Sequence, residues 1–139
     1  MSGVSLIHMG TDVILERHLA EHPDVLEQLN LARDAAWQTV DSQLLGLCEQ
    51  RIREILGTAD ESLLADWYSS TTLTAAEHAC IAFTEEYMID VASLSDATAA
   101  AVREQLGDQG TADFVSALLV VEQRQRIALT WTTVFGGAQ

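Results

Sequence analysis

Residues 41–57 read DSQLLGLCEQRIREILG, and this stretch decides the fold. Leu44, Leu45, Cys48, Ile52, Ile55 and Leu56 recur at i, i+4 and i+8, the stripe of a half-buried helix. Asp41 stands where an N-cap belongs, since its short carboxylate can accept from backbone N–H groups left open by the first turn. Gly57 is the matching stop, a residue without a Cβ at the point where the chain must leave the helix. Glu49 and Arg53 form a favourable i,i+4 pair outside the apolar stripe.

The same signs mark helices on both sides. Upstream, residues 12–21 carry Val13, Ile14 and Leu19 among charges, a short helix closed by Pro23, which pushes His22 out of the helical region. Pro23 then suits the first turn of a second helix, where its missing N–H costs nothing, and Val25, Leu26, Leu29, Ala36 and Trp37 follow at helical spacing. Downstream, residues 60–68 are a short helix candidate. Thr74 with Glu77 makes a capping box for a largely apolar helix to about Asp90. Ser95 or Asp96 caps a helix ending at Gly107, and a last helix runs from about 110 to Phe135 before Gly136-Gly137. No strand alternation or hairpin turn survives. The reading is an all-α single domain over residues 1–139, a bundle of six to eight helices with an N-terminal arm at 1–10 and a frayed tail at 136–139. Leu44, Leu45, Cys48, Ile52, Ile55, Phe83, Val115, Leu118 and Leu119 are the expected core.

Composition narrows the chemistry. All 7 basic residues are Arg, against 21 Asp plus Glu, for a net charge of −14. Such a chain lacks the basic footprint that nucleic acid or an anionic membrane surface requires. Without Lys it cannot form a Schiff base or a P-loop. Two Cys with no CxxC exclude a disulfide scaffold or a Cys-based zinc ribbon. No run approaches the ~20 apolar residues that cross a bilayer, and residues 1–10 lack the basic start of a signal peptide, so a cytoplasmic setting is expected. The two most hydrophobic helices, 73–91 and 113–135, show apolar residues on more than one face, which calls for a homo-oligomer.

Two stretches, LGLCEQRIREILG at 45–57 and LTAAEHACIAFTEEYMIDV at 73–91, are followed by LSDATAAAVREQLG and a final helix with Glu122, Gln125 and Arg126. Their order and spacing, over roughly two-thirds of the chain, resemble the alkylhydroperoxidase D (AhpD)/carboxymuconolactone decarboxylase family. The resemblance implies an all-helical fold that assembles into homo-oligomers. Peroxidases of that family use a relay Glu, a CxxC and a His. Aligned on Gly57, those roles fall on Gly46, Thr58, Glu61 and Ala65, none of which carries the chemistry. The resemblance therefore implies an AhpD-like fold that has lost its redox centre. Gln125 takes the place of the Asn in the family's Asn-Arg element, and Arg126 that of its Arg.

What remains allows three functions. The first is a helical oligomer with a small-molecule-binding or structural role. The second is acid–base chemistry, decarboxylation or isomerisation of a small acid or lactone, through His78, Glu85 and Arg126. His78 and Glu85 share a helix face two turns apart. The plainer alternative pairs Glu85 with an Arg across the core and gives His78 a hydrogen bond near the helix start. Glu122 pairs with Arg126 at i,i+4, and this arginine could grip a small carboxylated molecule in a pocket floor. Trp67 and Tyr68 are candidates for stacking on a ligand, or, with Trp37 and Trp131, for core or interface anchors. The third is residual thiol peroxidase activity through Cys48, against its reading, and that of Cys80, as small buried hydrophobes. His18 and His22 are spaced as helical metal ligands can be, but Pro23 takes His22 off the helix; no metal and no cofactor is expected.

Overall fold

In the computed structural model, which describes residues 3–136 with side chains from residue 10 onward, the stretch quoted above is helix α3, Ser42–Leu56. Its caps act as their chemistry dictates. Asp41 Oδ2 accepts from the Leu44 N–H at 3.0 Å. At the other end Gly57 takes φ 77° and ψ 20°. The Gly57 N–H then reaches the Glu54 carbonyl and the Thr58 N–H the Arg53 carbonyl, the paired bonds of a Schellman motif.

Around α3 stand α1 (Gly3–His18), α2 (Pro23–Thr39), α4 (Ala75–Ile89) and α5 (Asp96–Phe135). Both arms of the Thr74–Glu77 capping box are present at the head of α4. Ser95 caps α5 through the Thr98 N–H. α5 is the central helix and packs against each of the others, and α3 and α4 also pack on each other. The described residues contain no strand.

Five α-helices stand where six to eight were expected, for two reasons. The helices expected on either side of Gly107 are two arms of α5, joined through Gly107 at φ 74° and ψ 176°, a conformation open essentially only to glycine. The expected helix at 60–68 yields only a 3-10 turn, Trp67–Ser69. There α3 side chains capture the backbone groups a helix would need: Glu54 Oε2 accepts from the Leu64 N–H at 2.9 Å and Gln50 Nε2 donates to the Glu61 carbonyl at 2.8 Å. A second 3-10 turn, Val91–Ser93, precedes α5. The arm expected over 1–10 is helical from Gly3, and the His8 side chain lies outside the described residues, as does the tail beyond Gly136.

The core joins Leu44, Leu45, Cys48 and Ile52 of α3 to Cys80, Phe83 and Met88 of α4 and to Phe114, Leu118 and Val121 of α5. Ile55 is half-buried, and Val115 and Leu119, expected inside, are 38% and 43% exposed. α5 is apolar on adjacent faces, so periodicity did not single one out. Packing chose the face of Phe114, whose ring meets Phe83 edge-on at 5.8 Å, and Val115 and Leu119 turned outward with the neighbouring stripe.

Candidate functional site

The expected acid–base group divides between two places. On the outer face of α3 and α4, Glu85 Oε1 accepts from Arg51 Nε at 2.8 Å and from Trp67 Nε1 at 2.9 Å. Arg51 Nη1 also donates to Glu54 Oε1 at 2.8 Å. His78 Nε2 sits 3.0 Å from the Ser70 carbonyl, and its ring lies 5.8 Å from that of Trp67. Tyr68 packs edge-on against Trp67 and is 70% exposed. His78, Glu85 and Trp67 thus come together, but the arginine among them is Arg51. The carboxylate already holds two donors, and the cluster ties the 3-10 turn to α3 and α4. This is the plainer alternative: Glu85 paired with an Arg across the bundle, His78 bonded to backbone near the start of its helix.

Arg126 lies elsewhere. It forms a close ion pair with Glu122, and its Nη2 reaches the Met88 carbonyl at 3.4 Å. The pair fastens α5 to the end of α4 and does not meet His78 or Glu85. Burial, then the nearby Glu122 carboxylate, raises the Tyr87 hydroxyl beside it above its ordinary pKa.

Neither thiol is placed for peroxide chemistry. Cys48 and Cys80 have no exposed surface. Burial pushes both up to about 12, against a small opposing effect at Cys48 from a hydrogen bond with Thr84. A peroxidatic cysteine needs the opposite, a lowered pKa and access. The two histidines spaced four apart also stay separate. His18 stacks on Trp131 and Phe135 at 5.3 and 5.2 Å, while His22 sits outside α2 as its N-cap.

The feature that sequence reading missed is an interior polar layer. Glu49 and Arg53, placed outside the apolar stripe, are 5% and 1% exposed. Arg53 Nη2 lies 3.1 Å from Glu49 Oε1. Glu49 Oε2 accepts from Gln125 Nε2 at 3.3 Å. Next to Gln125, Arg124 donates to Asp12 Oδ1 at 2.6 Å and to the Leu29 carbonyl at 3.2 Å, so that α1, α2 and α5 meet on one guanidinium. Arg33 reaches the other Asp12 oxygen at 3.6 Å. Three of the 7 arginines gather in this layer of an otherwise acidic chain.

Two spaces border the layer and share Thr11 and Gln125 in their walls. One, of about 20 Å³, is lined by Asp12, Arg33, Glu49 and Arg124 among others, and has room for a single water. The other is a half-open cavity of about 180 Å³ between α1, the end of α3 and α5. Thr11, Thr58, Gln125 and Thr132 offer it hydroxyls and an amide, and Ile14, Ala128 and Leu129 an apolar wall. Two signals in the sequence pointed here without being recognised as one site: the Glu49–Arg53 spacing, and Thr58 and Gln125 as positions where the family resemblance departs from its pattern. A search of family models, curated proteins and solved structures found no match to this chain.

Proposed function

We propose that this chain is a small-molecule-binding helical protein, an AhpD-like fold without thiol peroxidase activity, that works as a homo-oligomer. The observation that carries the reading is the half-open cavity at the end of α3, walled by Thr58 and Gln125 and backed by the buried Glu49–Arg53 pair. Cavities lined mostly by apolar groups with a few convergent polar ones are where small ligands bind. Thr58 is also the position matched to the first redox cysteine of the resembling family. The ligand site would then be kept while its chemistry is gone. The apolar residues left exposed on α5, Val115 and Leu119, support self-association.

A fragment screen followed by amide chemical shifts tests this. Ligands are expected to move Thr58, Gln125 and Thr132 ahead of His78 and Glu85, and peroxide with a dithiol reductant is expected to remain unconsumed. Catalytic peroxide loss abolished by Cys48→Ser, or ligands that move only the His78–Glu85 region, would overturn it.

A further inference from the structure

We infer that α5 is a hinge with two states: it doubles back at Gly107 within one chain, and straightens there to exchange its arm 108–135 with a second copy of this chain. The exchange goes beyond the surface contact read from Val115 and Leu119, because it reuses the bundle's own internal contacts. Its starting point is how sharply α5 turns. The Ser95 N–H donates to Glu86 Oε1 at 2.8 Å, and Arg126 reaches the carbonyl of Met88, two residues further along α4, at 3.4 Å. A straight helix would set Ser95 and Arg126 about 46 Å apart. The reversal falls at Gly107, the one residue with non-helical angles among the 40 of α5. Its φ of 74° with ψ of 176° suits glycine alone.

Two further features belong to the turn and to no straight helix. A Cβ at Gly110 would lie 3.1 Å from the Leu106 Cβ, whereas residues four apart on a regular helix keep these atoms about 5–6 Å apart. Arg103 donates to Asp108 Oδ1 at 2.9 and 3.1 Å, although residues five apart stand about 140° apart round an unbroken helix. That ion pair is exposed on both sides, where such pairs contribute little. The turn therefore needs glycine twice and has one weak bond of its own, while the straight form needs neither glycine and gains from better helix formers at both positions. Little else changes on exchange. Beyond Gly107, α5 meets the rest of the chain through Phe114 on Phe83, Arg124 on Asp12 and Gln125 on Glu49. The same pairs form when α4, α1 and α3 are supplied by a second copy. Two straightened α5 helices, each about 60 Å long, cross at their hinges and close a symmetric pair that offers no open face to a third.

The test is light scattering of the full chain refolded from urea at high concentration, with reductant present so that Cys48 and Cys80 stay thiols. Copies that have exchanged arms have to unfold before they part. They are therefore expected to persist on dilution at twice the mass of the 15.1 kDa chain, and to form no hybrids when two tagged preparations are mixed. Wild type is expected to show a minor fraction of this kind. An alanine strained at position 107 disfavours each doubled-back chain roughly tenfold, and one dimer relieves two of them, so Gly107→Ala is expected to raise the exchange constant about a hundredfold. Gly110→Ala is expected to act in the same direction. Three glycines inserted after Gly107 slacken the turn and are expected to abolish the fraction. A Gly107→Ala chain that keeps its helical circular dichroism but gives no dilution-resistant dimer would overturn the hinge. If that variant does not fold, the others decide: dilution-resistant dimers of wild type that the insertion leaves unchanged, or none from wild type and Gly110→Ala alike, would overturn it too. Dimers that part on dilution and weaken with Leu119→Ala would leave the surface contact standing without the exchange.

Discussion

Two polar clusters draw on the same helix and end in opposite conditions. On the outer side of α3, Arg51 meets Glu54 and Glu85, and Trp67 adds a second donor to Glu85. Two residues further on, Arg53 points inward, loses nearly all its surface and keeps donors unmatched. The outer cluster has its hydrogen bonds made and some solvent to relax into. The inner one carries charge where water cannot help. Full satisfaction indicates a fastening; a partly satisfied buried charge is costly unless something further is gained from it.

The largest expected effect lies in the inner layer. Glu49→Gln strands the Arg53 charge in the interior and is expected to destabilise by about 3–5 kcal/mol in urea unfolding, with most of the loss recovered when Arg53→Met is added. Glu85→Gln in the outer cluster is expected to cost only about 1–2 kcal/mol, since it weakens charge-assisted bonds that are partly exposed. Equal costs would erase the distinction between the two clusters.

The apolar residues sharpen the same contrast. Leu45 is fully buried, so Leu45→Ala is expected to cost about 2–5 kcal/mol through lost burial and a cavity. Leu119, 43% exposed, is expected to cost less than about 1 kcal/mol on truncation. If α5 forms the contact between copies, Leu119→Ala should instead lower the mass seen by light scattering toward a single 15.1 kDa chain. A large stability loss at Leu119 with no change in assembly would mean that α5 is turned the other way.

The mildest expected effect concerns the thiols. Burial raises both Cys48 and Cys80 from 9.0 to about 12 in the folded chain. The unfolded chain then releases these protons first as pH climbs. The stability tied to them is complete below pH 9.0 and is lost between 9.0 and about 12. Replacing both by Ala should flatten that alkaline decline. Rapid modification of native Cys48 by a thiol reagent near neutral pH would contradict its burial.

Helix existence was legible along the chain because it rests on local physics. Asp41, Gly57, the Thr74–Glu77 box, Ser95 and Gly107 act through backbone groups within a few residues, and each stands where its chemistry requires. The site was legible only in fragments. His78 and Glu85 share a face of α4, as their spacing requires, but nothing local says which arginine arrives to meet Glu85. The sequence reading named Arg126, and the crossing of α3 and α4 brings Arg51 instead.

By itself, then, the sequence determined an all-helical chain, its caps and breaks, its acidic character and the absence of a CxxC, because those follow from composition and from interactions within a turn or two. The tertiary structure alone decided how far the interior of α3 reaches past its apolar stripe and which side of α5 became interior. Glu49 and Arg53 lie off the apolar stripe, and Val115 and Leu119 are as hydrophobic as the residues that replaced them in the core. Burial belongs to the packed assembly of helices: Phe114 against Phe83, and Gln125 against Glu49, chose the faces through contacts between residues far apart in the chain.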